Sequence, residues 1–505
     1  MRSFQSIRRL EVAVCKNRRQ IHAFASHAAV QRQVQPVLEP STASNLTGNS
    51  TSPPPAQSQR TNECSSKQNP NKHTFAVGNT QTTDPFALVA PELDQLRNSM
   101  ITLMGSAHPG LTQVAEYYFK QPSKLLRPLL VLLFSLATNG LGHGWRHKSW
   151  LADCEASGSK PGLDAPLSRP DVLNDWNPNI PEHTMSFSSV FDLIRMSPSS
   201  VSQLHAPLFS STEFEPRVAN KLLPTQLRLA QIAEMIHVAS LLHDDVIDTS
   251  PLRRGVPSGP ASFGNKLTVL GGDFLLGRAS AALSRLGESE VVELVASTIT
   301  NLVEGEVMQV REVHMPETLM SGDIIEPGLI TEQRPGRVSQ ERWNVYLKKT
   351  YLKTASLIAK TARGAVVLGG TQEGEMWKEV AYAYGRNLGI AFQLIDDMLD
   401  FSVSDASFGK PSGGADLRLG LATAPALYAW EEFEEMGPLI QRRFEGDGDV
   451  DLARQIVSSS KGVARTRELA ETYAAKAREV LAHLPDSEAK AALHTMTELV
   501  VRRRH

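Results

Sequence analysis

The chain has few cysteines, almost no net charge and no long apolar run. Its three cysteines, Cys15, Cys64 and Cys154, are scattered over 505 residues. That excludes a disulfide framework and a cysteine-ligated zinc site. Acidic and basic residues balance to a formal net charge of −2, so no basic face is expected for nucleic acid. No segment approaches the roughly 18 uninterrupted apolar residues of a spanning helix. The longest candidate, around Leu125 to Leu136, is broken by Arg127 and Pro128. Strand-like alternation of apolar and polar residues is missing as well, which argues against a sheet.

The first 40 residues are rich in cations and poor in acids. Arg2, Arg8, Arg9, Lys16, Arg18, Arg19 and Arg32 face only Glu11 and Glu39, and Phe4, Ile7, Leu10 and Val14 recur at helical spacing. This pattern predicts a mitochondrial transit peptide over 1–40, and the lack of an apolar core argues against a secretory signal. Residues 41–83 are dominated by Ser, Thr, Asn, Gln and Pro, including Pro53-Pro54-Pro55. Such a stretch buries too little apolar surface to offset its ordering entropy and is expected to be a disordered linker. A folded domain is expected over 84–505, with long loop inserts at about 141–211 and 316–340. The first insert carries Trp145, Trp150 and Trp176, enough apolar surface to dock on its own domain or on a partner.

The remainder predicts an all-α fold. Leu222–Asp248, Leu267–Leu286, Val291–Val310, Trp343–Val367, Lys378–Asp400 and Leu417–Phe433 are helix-forming segments with apolar residues three and four apart. One short motif occurs twice, as Asp244-Asp245-Val246-Ile247-Asp248 and as Asp396-Asp397-Met398-Leu399-Asp400. Residues four apart share a helix face, and like charges there destabilise an isolated helix. Two such clusters, each following an apolar run, predict a bridging cation. Oxygen ligands without cysteine suit Mg²⁺, which keeps waters and recruits substrate phosphates to complete its shell. A solvated helix end would explain one cluster but hardly two. A hydrolytic carboxylate pair needs one raised pKa, and six acids among several cations argue against it. Arg253-Arg254-Gly255 follows the first cluster and Lys410 the second. Lys353-Thr354 lies on a predicted helix, Lys124 and Arg127 precede an apolar one, and His237 sits two turns below Asp244. Such cations clamp diphosphate oxygens, although for any one alone a surface ion pair is the commoner explanation.

These residues carry a resemblance. The stretches Lys124 to Pro128, His243 to Gly255, Gly264 to Arg278, Lys353 to Leu357, Gly389 to Phe401, Gly409-Lys410-Pro411 and Asp416 to Pro425 resemble the trans-prenyl diphosphate synthases. They are similar in particular to the long-chain (hexa- to decaprenyl) enzymes of mitochondrial ubiquinone synthesis in fungi. The resemblance implies an isoprenoid-synthase helical bundle around a central cavity, acting as a homodimer or heteromer. It implies that Asp244, Asp248 and Asp396 hold Mg²⁺, three ions in all, with Asp245, Asp397 and Asp400 supporting. It implies that Arg253, Lys353, Thr354, Gln393 and Lys410 contact an allylic diphosphate, farnesyl or geranylgeranyl. Lys124, Arg127, His237 and Arg254 would bind isopentenyl diphosphate. Short-chain relatives carry bulky aromatics one turn below the first aspartates, where this chain has Ala239 and Ser240, so the tunnel is expected to continue. Each added prenyl unit would bury about five carbons there, about 3–4 kcal/mol at ~0.8 kcal/mol per methylene. The chain departs from the family pattern at Pro122-Ser123, where two glycines are usual. A terpene cyclase would need no second diphosphate site. A non-catalytic partner subunit would typically have lost aspartates or cations, and a short-chain geranylgeranyl synthase would not match Ala239 and Ser240. The apolar product makes peripheral membrane association an expectation.

Overall fold

The computed structural model describes residues 83–104, 109–121, 123–156, 163, 221–314, 338–402 and 414–503. The leader over 1–40, the linker up to residue 82, Trp176, Lys410 and the remaining parts of both inserts lie outside the described residues.

Helix α1 (Pro85–Leu88) starts where the Asp84 carboxylate accepts the Phe86 amide at 3.0 Å and proline fills the first helical position, two start signals in register. Helices α2 (Ala90–Met104), α3 (Pro109–Lys120) and α4 (Leu126–Thr138) follow. Every residue of α4 from Pro128 to Ser135 is buried, as expected of a helix that is apolar all round. After α5 (Trp145–Ala156), α6 (Pro224–Ile247) opens on Pro224, with the Leu223 amide donating to Gln226 Oε1 at 3.0 Å. Two short strands, β1 (Leu252–Arg253) and β2 (Val256–Pro257), pair antiparallel. Then come α7 (Gly259–Phe263), α8 (Asn265–Ser284), α9 (Ser289–His314) and α10 (Gln340–Thr350). A π turn (Tyr351–Ala355) joins α10 to α11 (Ser356–Leu368), and α12 (Trp377–Ser402) ends in the second aspartate motif. The chain finishes with α13 (Ala415–Arg418), α14 (Ala424–Trp430), α15 (Met436–Gln441), α16 (Asp449–Ser459), α17 (Gly462–Val480) and α18 (Glu488–Arg502).

The all-α expectation holds among the described residues, apart from the β1–β2 ribbon. α12 packs along α17 and α11, α6 packs along α8 and α4, and α11 also meets α9 and α4. Leu129 to Phe134 of α4, Leu229, Ile232 and Met235 of α6, Ala365 and Val366 of α11, and Tyr384 and Leu388 of α12 are each at most 1 % exposed within one apolar cluster. Burying a side chain of this size contributes about 1.5–3 kcal/mol. At one end of the bundle the amides of Asn139 and Gln226 pair with each other at 2.7 and 2.9 Å, and Gln226 also donates to Ala365 O at 3.0 Å. These bonds tie α4, α6 and α11 together.

Three expectations need correction. The segment expected to be one helix over Leu417–Phe433 is two, α13 and α14. Gly420 takes a left-handed φ of 79° and Pro425 stands in the first turn of the next helix, a stop followed by a start. The helix expected over Trp343–Val367 is continuous but contains the π turn. The first insert is not all loop: Trp145 and Trp150 lie on α5, which is docked on its own domain. Gly144 N donates to Gly370 O at 2.9 Å, Lys148 pairs with Glu288 at 2.6 Å, and Asp153 pairs with Lys221 at 2.6 Å.

Two glycines grip the π turn. A Cβ on Gly389 of α12 would lie 2.6 Å from Ala355 Cα, and one on Gly305 of α9 would lie 2.7 Å from Lys353 Cγ. Both helices therefore close onto the turn as no larger residue would allow. Gly389→Val should lower stability by about 1–3 kcal/mol, the range for overpacking a dense core, read as a shift of the urea midpoint at constant slope.

Candidate active site

The first aspartate motif closes α6. The middle residue, Asp245, is fully buried and both of its carboxylate oxygens are engaged. Tyr118 of α3 donates to Oδ2 at 2.5 Å, and Arg253 approaches Oδ1 with Nε at 2.6 Å and Nη2 at 2.5 Å. The amide of Gly259 in turn donates to the Tyr118 oxygen at 2.8 Å. Burial and Asp245 hold the Tyr118 hydroxyl well above the usual tyrosine range, so it stays a donor. Asp244 faces Lys353, Glu306 and Asp248, and burial pushes its carboxyl up to about 7. Asp248 is raised by burial too. Lys353, in the π turn, reaches across to α9, where it meets Glu306 at 2.5 Å and Gln309 at 2.8 Å.

The Arg-Arg-Gly sequence is explained by the β1–β2 ribbon. Arg254 and Gly255 form its two-residue turn, with φ of 53° and 80°. Tight hairpins require positive φ at both central positions, which is free for glycine and costly for arginine. The turn sends adjacent arginines to different places. Arg253 goes to Asp245, whereas Arg254 lines a small cavity with Glu234, His237, Ser123 and Arg97.

The second motif closes α12 in a related way. Asp397 is 4 % exposed and again fully engaged. Tyr346 of α10 donates to Oδ2 at 2.5 Å and Gln393 Nε2 donates to Oδ1 at 2.8 Å. Thr354 donates to Gln393 Oε1 at 2.7 Å, so the π turn is linked to Asp397 through one side chain. Burial and Asp397 raise the Tyr346 hydroxyl well above its ordinary value. Asp400 accepts the amides of Ala415 and Asp416 at 3.0 and 3.1 Å, so it clasps the start of α13. Asp396 meets Arg503, just beyond α18, at 2.7 Å, and that guanidinium lies 4.6 Å from the Phe392 ring centre. Burial pushes Asp396 up to about 6.

The remaining cations lie between the two motifs. Leu125 takes a left-handed φ of 47° just before α4, which turns the chain between Lys124 and Arg127. Arg127 is enclosed near Glu234, Asp396 and Arg254, and Lys124 lies near Arg503 and Asp396. Ser123 Oγ donates to Glu234 at 3.3 Å. His237 is held well below its ordinary pKa by burial and then by the guanidinium groups of Arg127, Arg254 and Arg253. It is a neutral imidazole among cations. A chain of charged neighbours therefore runs from Asp396 through Arg127, Arg254 and Arg253 to Asp244 and Lys353. It closes through Asp416, which faces Lys353, Asp397 and Asp400.

The structure thus brings together every expected site residue that lies among the described ones. It also adds residues not anticipated from sequence: Tyr118, Glu234, Glu306, Gln309, Tyr346, Asp416 and Arg503. Ala239 is fully buried in the apolar cluster, and the half-buried Ser240 donates its hydroxyl to His237 O at 2.8 Å. Among the described residues no three His, Cys, Asp or Glu side chains are close enough to hold a metal by themselves.

The fold agrees with what comparison finds. Residues 208–457 match the polyprenyl synthetase family. The chain is 42% identical to a probable mitochondrial hexaprenyl pyrophosphate synthase of Yarrowia lipolytica, over 84% of this chain and 86% of that protein. It is 41% identical to the mitochondrial hexaprenyl pyrophosphate synthase of Saccharomyces cerevisiae, over 83% and 91%. A polyprenyl synthase from Caulobacter crescentus, crystallised with calcium and isoprenyl diphosphate, shares the fold with a TM-score of 0.58 and 24% identity, covering 85% of this chain and all of that one. The chain belongs to the polyprenyl synthetase family.

The buried neutral state of His237 has a measurable consequence. Its folded pKa lies below the unfolded value near 6.5, so the unfolded chain takes up the proton first. The stability that it contributes is complete above that value and is lost as pH falls through it. The melting temperature of the native chain should therefore drop more between pH 7.5 and 5.5 than that of His237→Gln.

Proposed function

We propose that the chain is a long-chain all-trans polyprenyl diphosphate synthase. It condenses isopentenyl diphosphate head to tail onto an allylic diphosphate, farnesyl or geranylgeranyl, and supplies the ubiquinone side chain in the mitochondrion. The observation that carries this reading is the meeting of two aspartate motifs, each with a buried middle carboxylate, with two sets of cations, enough for two diphosphates in one site.

The donor set fits Mg²⁺. Asp244 and Asp396 have carboxyls pushed up to about 7 and about 6 by burial, a cost that a bound cation offsets. Glu306 Oε1, beside Asp244, is buried with no hydrogen-bond partner. All available ligands are oxygen, the chemistry Mg²⁺ prefers. Asp244, Asp248 and Asp396 would hold the ions, since Asp245, Asp397 and Asp400 already spend both oxygens on protein donors. Mg²⁺ bound there, three ions by analogy with the family, would act as a Lewis acid toward the departing diphosphate.

The protein's own groups do the rest. Arg253, Lys353, Thr354, Gln393 and Lys410 hold the allylic diphosphate, and their charge stabilises it as the C–O bonding pair leaves with it. Lys124, Arg127 and Arg254 hold isopentenyl diphosphate, and neutral His237 donates a hydrogen bond to it. The double bond of isopentenyl diphosphate attacks the allylic carbocation, and the proton then lost passes to the departed diphosphate. The apolar interior keeps water from the cation. Small residues at Ala239 and Ser240 leave the first obstacle to chain growth further down α6.

A second copy of the chain is the proposed partner of the apolar face formed by Val269 and Leu270 of α8 and Val303, Val307 and Val310 of α9, all more than a third exposed. Sedimentation of the purified protein at micromolar concentration reads this directly, and a monomer would refute it. No helix among the described residues is long and apolar enough to cross a membrane, so peripheral association is the form proposed for any contact with lipid.

Purified protein given Mg²⁺, farnesyl diphosphate and labelled isopentenyl diphosphate should yield a ladder of products ending at six to ten prenyl units. A folded protein that incorporates no label would instead be a partner subunit. Asp244→Ala or Asp396→Ala should lower incorporation on the order of 10²–10³-fold, as loss of transition-state charge stabilisation does, with the helical circular dichroism spectrum unchanged. In the same assay Ala239→Phe should shorten the longest product.

A further inference from the structure

The same device occurs at both aspartate motifs, built from unrelated helices. In each, the middle aspartate is buried, 0 % exposed for Asp245 and 4 % for Asp397. One oxygen of each accepts a tyrosine hydroxyl at 2.5 Å, and the other accepts a nitrogen donor, Arg253 or Gln393. The phenols come from α3 and α10, neither of which carries a motif. Tyr118 is itself fixed by the amide of Gly259. Tyr118 and Tyr346 are 4 % and 3 % exposed, so no solvent competes for their hydroxyls.

We propose that Tyr118 and Tyr346 are positioning residues that lock Asp245 and Asp397 as struts and thereby set the angle at which Asp244, Asp248 and Asp396 project into the site. This rests on the reading that those three aspartates hold divalent cations. The reasoning is geometric. Neighbouring residues at a helix end share one short backbone segment, so pinning one carboxylate fixes the direction of the next. A free carboxylate at the middle position would be a second negative ligand one residue from the first and would compete for the same ion. The phenol removes that competition by hydrogen bonding, and at Asp397, where the second donor is the Gln393 amide, no positive charge that would repel the ion is added. A tyrosine hydroxyl is suited to this because it stays protonated throughout the working pH range, with its ordinary pKa near 10. Groups that orient metal ligands typically contribute 10–100-fold in metal affinity when intact.

The test is a Mn²⁺ titration of the whole purified protein, followed by electron paramagnetic resonance in the absence of isopentenyl diphosphate so that no turnover occurs. Tyr118→Phe and Tyr346→Phe keep the ring and remove only the hydroxyl. Each should weaken Mn²⁺ binding on the order of 10-fold, while for Tyr346→Phe, which does not line the cavity of Arg254 and His237, the KM for isopentenyl diphosphate stays unchanged. The double variants Tyr118→Phe/Asp245→Asn and Tyr346→Phe/Asp397→Asn separate positioning from general loosening. If each tyrosine acts through its aspartate, each double variant binds Mn²⁺ no more weakly than the poorer of its two single variants. Native-like Mn²⁺ affinity in both phenylalanine variants, or fully additive losses in the doubles, would overturn the proposal. Asp244→Ala and Asp396→Ala run in parallel. If these bind Mn²⁺ like the native chain, the metal assignment fails first. If they bind weakly while the phenylalanine variants do not, the strut proposal alone fails. The two motifs test it independently, so misfolding of one variant leaves the other decisive.

Discussion

Holding carboxylates together out of water is the constraint on which this structure depends. An unpaired charge buried in a protein costs several kcal/mol, and two helices here end in three aspartates each. The chain meets the cost by dividing labour within each motif. One aspartate is hydrogen-bonded by dedicated donors, and Asp244, Asp248 and Asp396 are left with raised proton affinity beside lysine and arginine. What remains is a surface with stored electrostatic demand, which in the proposed function a divalent cation and an anionic substrate would satisfy together. The apolar bundle serves this end. Its density keeps the dielectric low around the site, where fixed charges act most strongly.

The π turn shows how fold and site are joined. The i→i+5 turn is rare and tends to occur where function requires it. Here it sends Lys353 and Thr354, consecutive in sequence, to opposite neighbours, Glu306 and Gln309 on α9 and Gln393 on α12. Regular helical geometry turns successive residues by about 100°, and the local widening is gripped on both sides by glycine.

Much of the site was legible in the sequence because it is written in short-range patterns. Asp244 with Asp248, Asp396 with Asp400, and Arg253-Arg254-Gly255 each carry their chemistry within five residues, and helix spacing places each aspartate pair on a face without knowledge of the fold. The partners that define how each aspartate is used were not legible. Tyr118 is 127 residues from Asp245, and Tyr346 is 51 residues from Asp397; no local pattern marks either tyrosine. Arg503 reaches Asp396 only because α18 ends beside α12. Glu234 could have been found, since it stands three residues before His237 on one helix face. The periodicity that identified helices could not register Gly420 and Pro425 dividing one of them, nor α5 inside a segment whose Pro, Ser and Gly content suggested a loop.

The two-residue turn between β1 and β2 has a mechanical meaning. Arg253 and Arg254 are joined by one peptide unit, and consecutive Cα atoms stand about 3.8 Å apart. In the proposed assignment one arginine belongs to each substrate, so the two anion sites share this turn in addition to the separate helices that carry their other cations. A displacement of the turn therefore shifts one cation of each site together. The turn works as a shared anchor, and a shared anchor suits successive condensations in which the reacting carbons must meet at the same place while the product behind them grows.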